Sequence, residues 1–120
     1  MVDPTMSKSN EIQELEENIQ RAKAHVEFGS TVERLLSNRD FKKVISEGYF
    51  EQEAIRLVHL KADPNMQTVG QQASIVKQMD AIGSLKQYLR VKCRVAEQAV
   101  HSIAADEETR DELLAEEGEA

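Results

Sequence analysis

From residue 75 onward, apolar residues fall at Ile75, Met79, Ile82, Leu89, Cys93, Ala96, Val100 and Ile103, in steps of four and three. That rhythm keeps one face of an α-helix apolar, as in the seam of a coiled coil. Lys86 fills the one place where the rhythm breaks, and Leu85 beside it covers the gap. No proline interrupts residues 65–120, and Gly83 is the only interior flaw, costing about 1 kcal/mol relative to alanine. The spacing predicts a helix over about 69–105, which at about 1.5 Å per residue is roughly 55 Å long. A compact domain of about 100 residues has a radius of gyration of only about 13 Å. The expected shape is therefore elongated.

A second rod precedes it. Ile12, Leu15, Ile19, Ala22, Val26 and Gly29 again step by three and four, and Val32, Leu35 and Leu36 widen the face. Ser9 or Asn10 can cap the start, with glutamates in the first turns where the helix dipole favours them. This helix is expected over about 10–37, after a flexible segment at 1–9. Glu11, Glu14, Glu16 and Glu17 make its beginning acidic, whereas Lys86, Arg90, Lys92 and Arg94 make the last helix basic in its second half. A turn between Leu36 and Thr68 would bring Glu17 opposite position 87 and Glu11 opposite position 93. The charges thus favour an antiparallel hairpin, although exposed pairs contribute only about 0–1 kcal/mol each. The same complementarity could join two subunits, so pairing within or between chains stays open.

Two short helices are expected at the turn, over about 39–47 and 50–62. Asn38 or Asp40 suits the start of the first, and Gly48 suits the left-handed position after its end. Asp63-Pro64 stops the second, because the residue before proline is biased away from α. Three of the chain's five aromatic residues, Phe41, Tyr49 and Phe50, cluster here. Large rings bury roughly 150–250 Å² each. They serve either as a plug where the helices diverge or as an exposed patch that a partner covers.

Composition fits this all-α reading. Ala, Leu, Glu, Lys, Gln and Arg dominate 120 residues that contain two prolines and five glycines. The formal charge of −7 resides in residues 106–120, where eight acids face Arg110, since residues 1–105 hold fourteen bases and fourteen acids. A like-charged terminal run is usually a solvated or frayed end, so 106–120 is expected as an acidic tail after a single helical domain over 10–105. No apolar run suggests a secretory signal or a membrane span, which points to a protein made and used inside a cell.

Chemistry is sparse. Cys93 is the sole cysteine, which excludes an intramolecular disulfide or a cysteine-based zinc site, and it stands at a seam position. His25, His59 and His101 lack metal-binding spacing, and there is no phosphate-binding glycine loop. The expectation is a protein that is not an enzyme, with no cofactor, metal or catalytic residue. The run "KQYLRVKCR" around Tyr88 offers Lys86, Arg90, Lys92 and Arg94 to phosphate, but an overall pI near 5.0 argues against a nucleic-acid reader.

The stretch "LLSNRDFKKVISEGYFEQEAIRLVHLKADPNMQ", followed by "QMDAIGSLKQYL", resembles short, helical, uncharacterised proteins of tailed bacteriophages. The shared pattern is N-x-D-F-K-x-V/I, G-Y-F, E-A-x-R-L-V, D-P and A-I-G-x-L-x-x-Y, over about residues 35–89. The resemblance implies a phage protein in the host bacterial cytoplasm or the virion. Taken with the extended helices, it leads to a structural or virion-assembly protein acting through protein–protein contacts. The expected homo-oligomer uses the seam Ile12, Leu15, Ile19, Val26, Leu89, Cys93, Val100 and Ile103. Phe41, Tyr49, Phe50 and the tail meet a protein partner, with no membrane involved. Two alternatives are a host-takeover inhibitor binding a bacterial enzyme and a small DNA-packaging subunit using residues 86–94.

Overall fold

In the computed structural model, which describes residues 4–119 and their side chains from 8 to 118, every regular element is helical. In order these are α1 (Pro4–Ser37), α2 (Arg39–Phe41), a π-helical segment (Lys42–Glu53), α3 (Ala54–Ala62), a 3-10 turn (Pro64–Met66) and α4 (Val69–Glu119). The all-α expectation holds. Helix α1 begins at Pro4 rather than near Asn10, and the expected flexible residues 1–3 lie outside the described residues. The acidic segment continues α4 to Glu119. Its charge did not prevent this: no proline interrupts 106–119 and Leu113 supplies a half-buried contact.

The ends of the helices are fixed by side chains. Asn38 leaves the helical region (φ −67°, ψ 130°) and its Oδ1 accepts from the Phe41 N–H at 3.0 Å, starting the next helix. Asp63 is likewise extended (φ −65°, ψ 123°) and accepts from the Asn65 N–H at 2.9 Å, with Pro64 opening the turn. Thr68 and Gln71 form a reciprocal capping box on α4: the Gln71 N–H donates to Thr68 Oγ1 at 3.1 Å, and the Thr68 N–H to Gln71 Oε1 at 3.2 Å. Amides of Gln67 and Gln72 both donate to the Lys61 carbonyl at 3.0 Å, satisfying backbone that α3 leaves exposed at its end.

The expected break at Gly48 is absent. Helix runs through it from Arg39 to Ala62, and no glycine has a positive φ. A Cβ at Gly48 would come to 3.1 Å of the Lys43 carbonyl oxygen, five residues back. The glycine thus serves the i→i−5 register of a π-helix, not a left-handed stop.

The chain divides into two compact units, residues 31–91 and residues 1–30 with 92–120. The first is built around Leu57, Ile75 and Ile82, which are 0%, 1% and 6% exposed. Tyr49, Phe50, Ala54, Leu60, Met66 and Met79 pack against them. Here the first half of α4 is committed to α3 and the π-helical segment.

In the second unit α1 packs on the second half of α4. Ile19, Ala22 and Gly29 are buried from α1, as is Ala99 from α4. Small residues bring the helices close: a Cβ on Gly29 would collide with the Ala96 methyl and approach the Lys92 carbonyl oxygen to 3.4 Å. Lys8 Nζ meets Glu116 at 3.2 Å, so the α4 partner number falls as the α1 number rises. This register corrects the expected one, which would put Lys8 opposite position 96. Ile75 and Ile82 are packed with Leu57 in the other unit.

Two outcomes follow for stability. Leu57→Ala should destabilise the chain by about 2–5 kcal/mol in a denaturant titration, while Val58→Ala on the exposed flank of α3 changes it far less. Gly29→Leu should lower the melting temperature more than Gly83→Leu, because Gly83 has open space where Gly29 has Ala96.

Candidate interaction surfaces

The three aromatics do not act alike. Tyr49 and Phe50 sit against the Leu57 core with ring centroids 6.0 Å apart, at a tilt of 42°. Phe41 is half-buried. The rings of Tyr49 and Phe50 are thus largely spent on packing. What remains outward on the same helical run is aliphatic: Ile55 and Val58 on α3 are 57% and 54% exposed, and Val44 in the π-helical segment is 64% exposed. Helix α3 is apolar beyond its core face: Ala54, Leu57 and Leu60 turn to the core, Ile55 points outward and Val58 lies half-exposed on the flank.

Of the seam residues, Ile19 and Leu89 are buried, and Ile12, Leu15, Val26, Cys93 and Ile103 are half-buried. Val100 is the exception at 53% exposed. Its neighbour Ala99 takes the inward position and lines a groove with Ala22, Asn18 and Val95. Close approach of the helices suits a methyl group there, and the wider valine is turned out.

The four basic residues are placed on α4 with different surroundings. Lys86 Nζ lies 5.9 Å from the centroid of Phe50, and Lys92 Nζ lies 5.9 Å from that of Phe28. Such cation–π contacts contribute about 0.5–1 kcal/mol at exposed sites. Arg90 and Arg94 are exposed. Lys86 therefore fits the broken seam position by covering a ring with its charge, a contact that the spacing alone did not reveal.

Two open grooves in the second unit include α1 acids in their linings. Glu11, Glu14 and Leu15 line one with Thr109 and Leu113, while Glu16 and Glu17 line another with Arg110. The acidic start of α1 thus meets the acidic end of α4, not the basic stretch 86–94 expected from charge. Burial of the apolar seam set the register, and weak surface charge did not override it. His25 reaches one groove rim and is exposed, as are His59 and His101. No three His, Cys, Asp or Glu side chains gather as a metal site among the described residues.

On the run leading into α3, Glu53 and Arg56 form a charged pair. Arg56 Nε donates to both Glu53 carboxylate oxygens, at 3.1 and 3.0 Å. This hydrogen bonding, with the adjacent positive charge, holds the Glu53 carboxyl below its usual range. Glu53 is ionised in the pair, so the contribution is present above the ordinary carboxylate pKa and lost as pH falls through the lowered one. An NMR titration should show Glu53 with a lower midpoint than an unpaired glutamate, and Arg56→Gln should return it to the usual range. No protein-family model, curated protein or solved structure matches this chain.

Proposed function

We propose that the chain is a non-enzymatic phage structural or virion-assembly protein that works through helix-mediated contacts with protein partners, other copies of itself included. The observation that carries this reading is the exposed aliphatic surface of α3, Ile55 and Val58, beside the face that already holds the core. β-Branched residues lose side-chain freedom in a helix, so at solvent positions they bring stability only when something covers them. The tailed-phage resemblance over residues 35–89 covers this same stretch and supports the assignment to a phage.

In this reading the second unit is an antiparallel, coiled-coil-like hairpin. Ile12, Leu15, Ile19 and Val26 of α1 lie along it with Ala96, Ala99 and Ile103 of α4. Support comes from the Lys8–Glu116 and Gly29–Ala96 approaches, which run in opposite chain directions. The hairpin closes within one chain, which leaves the α3 face for association. The protein works in the host bacterial cytoplasm or in the virion.

One observation favours a second reading, a host-takeover inhibitor presenting acidic charge to a bacterial enzyme. The acids of residues 106–117 are held on a regular helix beside those of α1. The DNA-packaging reading has less support, because Lys86 and Lys92 each lie over an aromatic ring.

Light scattering should give a mass above the 13.5 kDa of one chain, rising with concentration, and Ile55→Asp with Val58→Asp should return it to one chain without loss of helicity. The protein should also co-purify with finished particles or assembly intermediates. A strict monomer that appears with neither contradicts the assembly reading. Inhibition of a host enzyme that vanishes on neutralising the acids of 106–117 would favour the second.

A further inference from the structure

We propose that the end of the two-helix unit formed by the start of α1 and the end of α4 is an ionic-strength-sensitive clasp, closed by salt and loosened by its own charge. Two gradients run against each other along this unit. Apolar burial thins outward: Ile19 is 1% exposed, but beyond it Leu15, Ile12 and Leu113 are only half-buried. Leu15 and Leu113 line an open cleft of about 240 Å³.

Charge accumulates in the same direction. Residues 8–20 carry Lys8 against Glu11, Glu14, Glu16 and Glu17, a sum of −3, and residues 106–120 carry −7 from eight acids and Arg110. Glu11 and Glu14 share a cleft with Thr109 and Leu113, so the two acidic segments lie side by side. Lys8–Glu116, at 3.2 Å, bridges the two helices. Arg110 is hydrogen-bonded at 3.2–3.3 Å to Asp111, its own neighbour on α4, which offsets part of the attraction it offers to Glu16 and Glu17 on the groove they share.

Screening decides which gradient dominates. At about 0.01 M salt the Debye length is about 30 Å, so every acid on one helix feels those on the other. At about 0.15 M it falls to about 8 Å and only adjacent groups still repel. Segments with thin apolar burial open at low free-energy cost, and here that cost is set by ionic strength. The clasp is a property of the chain alone and holds whichever partner the protein meets.

The test is amide hydrogen exchange on the full chain at about 0.01 M and about 0.5 M NaCl, at constant pH. Protection over residues 8–20 and 106–118 should rise roughly tenfold in high salt, the combined effect of several surface charges. Amides of Leu57, Ile75 and Ile82 in the other unit should change little. At low salt, Lys8→Glu should lower protection further, while Glu14→Lys with Glu17→Lys should raise it toward the high-salt level. Magnesium chloride at matched ionic strength should match sodium chloride; a much larger magnesium effect would mean a bound cation and overturn screening as the cause. Protection that ignores salt, or falls with it, overturns the clasp itself. Neither result touches the assembly reading, which rests on mass and particle association.

Discussion

The structure depends on how one long helix divides its narrow apolar stripe between two covers. Helix α4 gives Ile75 and Ile82 to Leu57, with Tyr49 and Phe50 completing that core. It gives Ala96 and Ala99 to α1, where Gly29 and Ala22 leave room for close approach. Each cover is one helical run thick, so neither unit has a deep interior, and only a handful of side chains among the described residues are fully removed from water. Stability on this plan comes from a few well-packed positions plus many local caps, such as Thr68–Gln71 and the glutamine amides on Lys61.

This division explains why charge was a poor guide to register. Opposite charges at 11–17 and 86–94 invite pairing, yet the residues that bury apolar area are elsewhere. Surface pairs contribute little against a buried Ile19 or Leu57. The result sets like charges side by side at one end of the second unit, where Lys8–Glu116 bridges its helices.

Much of the fold was legible in periodicity. The α1 residues Ile12, Leu15, Ile19, Ala22, Val26 and Gly29 form its less exposed face, because a four-three rhythm is a direct consequence of helical pitch. Asn38, Asp63 and Pro64 mark element ends by the same local chemistry wherever they occur. Less legible were features set by what lies opposite. Ala99 and Val100 fit the rhythm about equally well, and only the close approach of α1 selects the smaller. Gly48 reads as a stop until the π register shows it accommodating the Lys43 carbonyl. The capping box Thr68–Gln71 was present in the sequence as T-x-x-Q and was missed. The Lys86–Phe50 contact had no sequence signal, since their 36-residue separation (86 − 50) is bridged only by the fold. Of the candidate surface, the aromatic cluster was visible, whereas the outward Ile55 and Val58 emerged only once Leu57 defined the inward side.

The central claim is the register of α1 on the second half of α4. Its most direct measurement is the distance between spin labels in a Cys93→Ser background, at high salt so that the acidic end is closed. Labels at Lys8→Cys and Glu116→Cys should be close, as the 3.2 Å contact between their side chains requires. Labels at Lys8→Cys and Glu97→Cys should be much farther apart, because about nineteen helical residues displace them by roughly 28 Å along the axis. The reverse order, with position 8 nearer to 97 than to 116, would contradict the account.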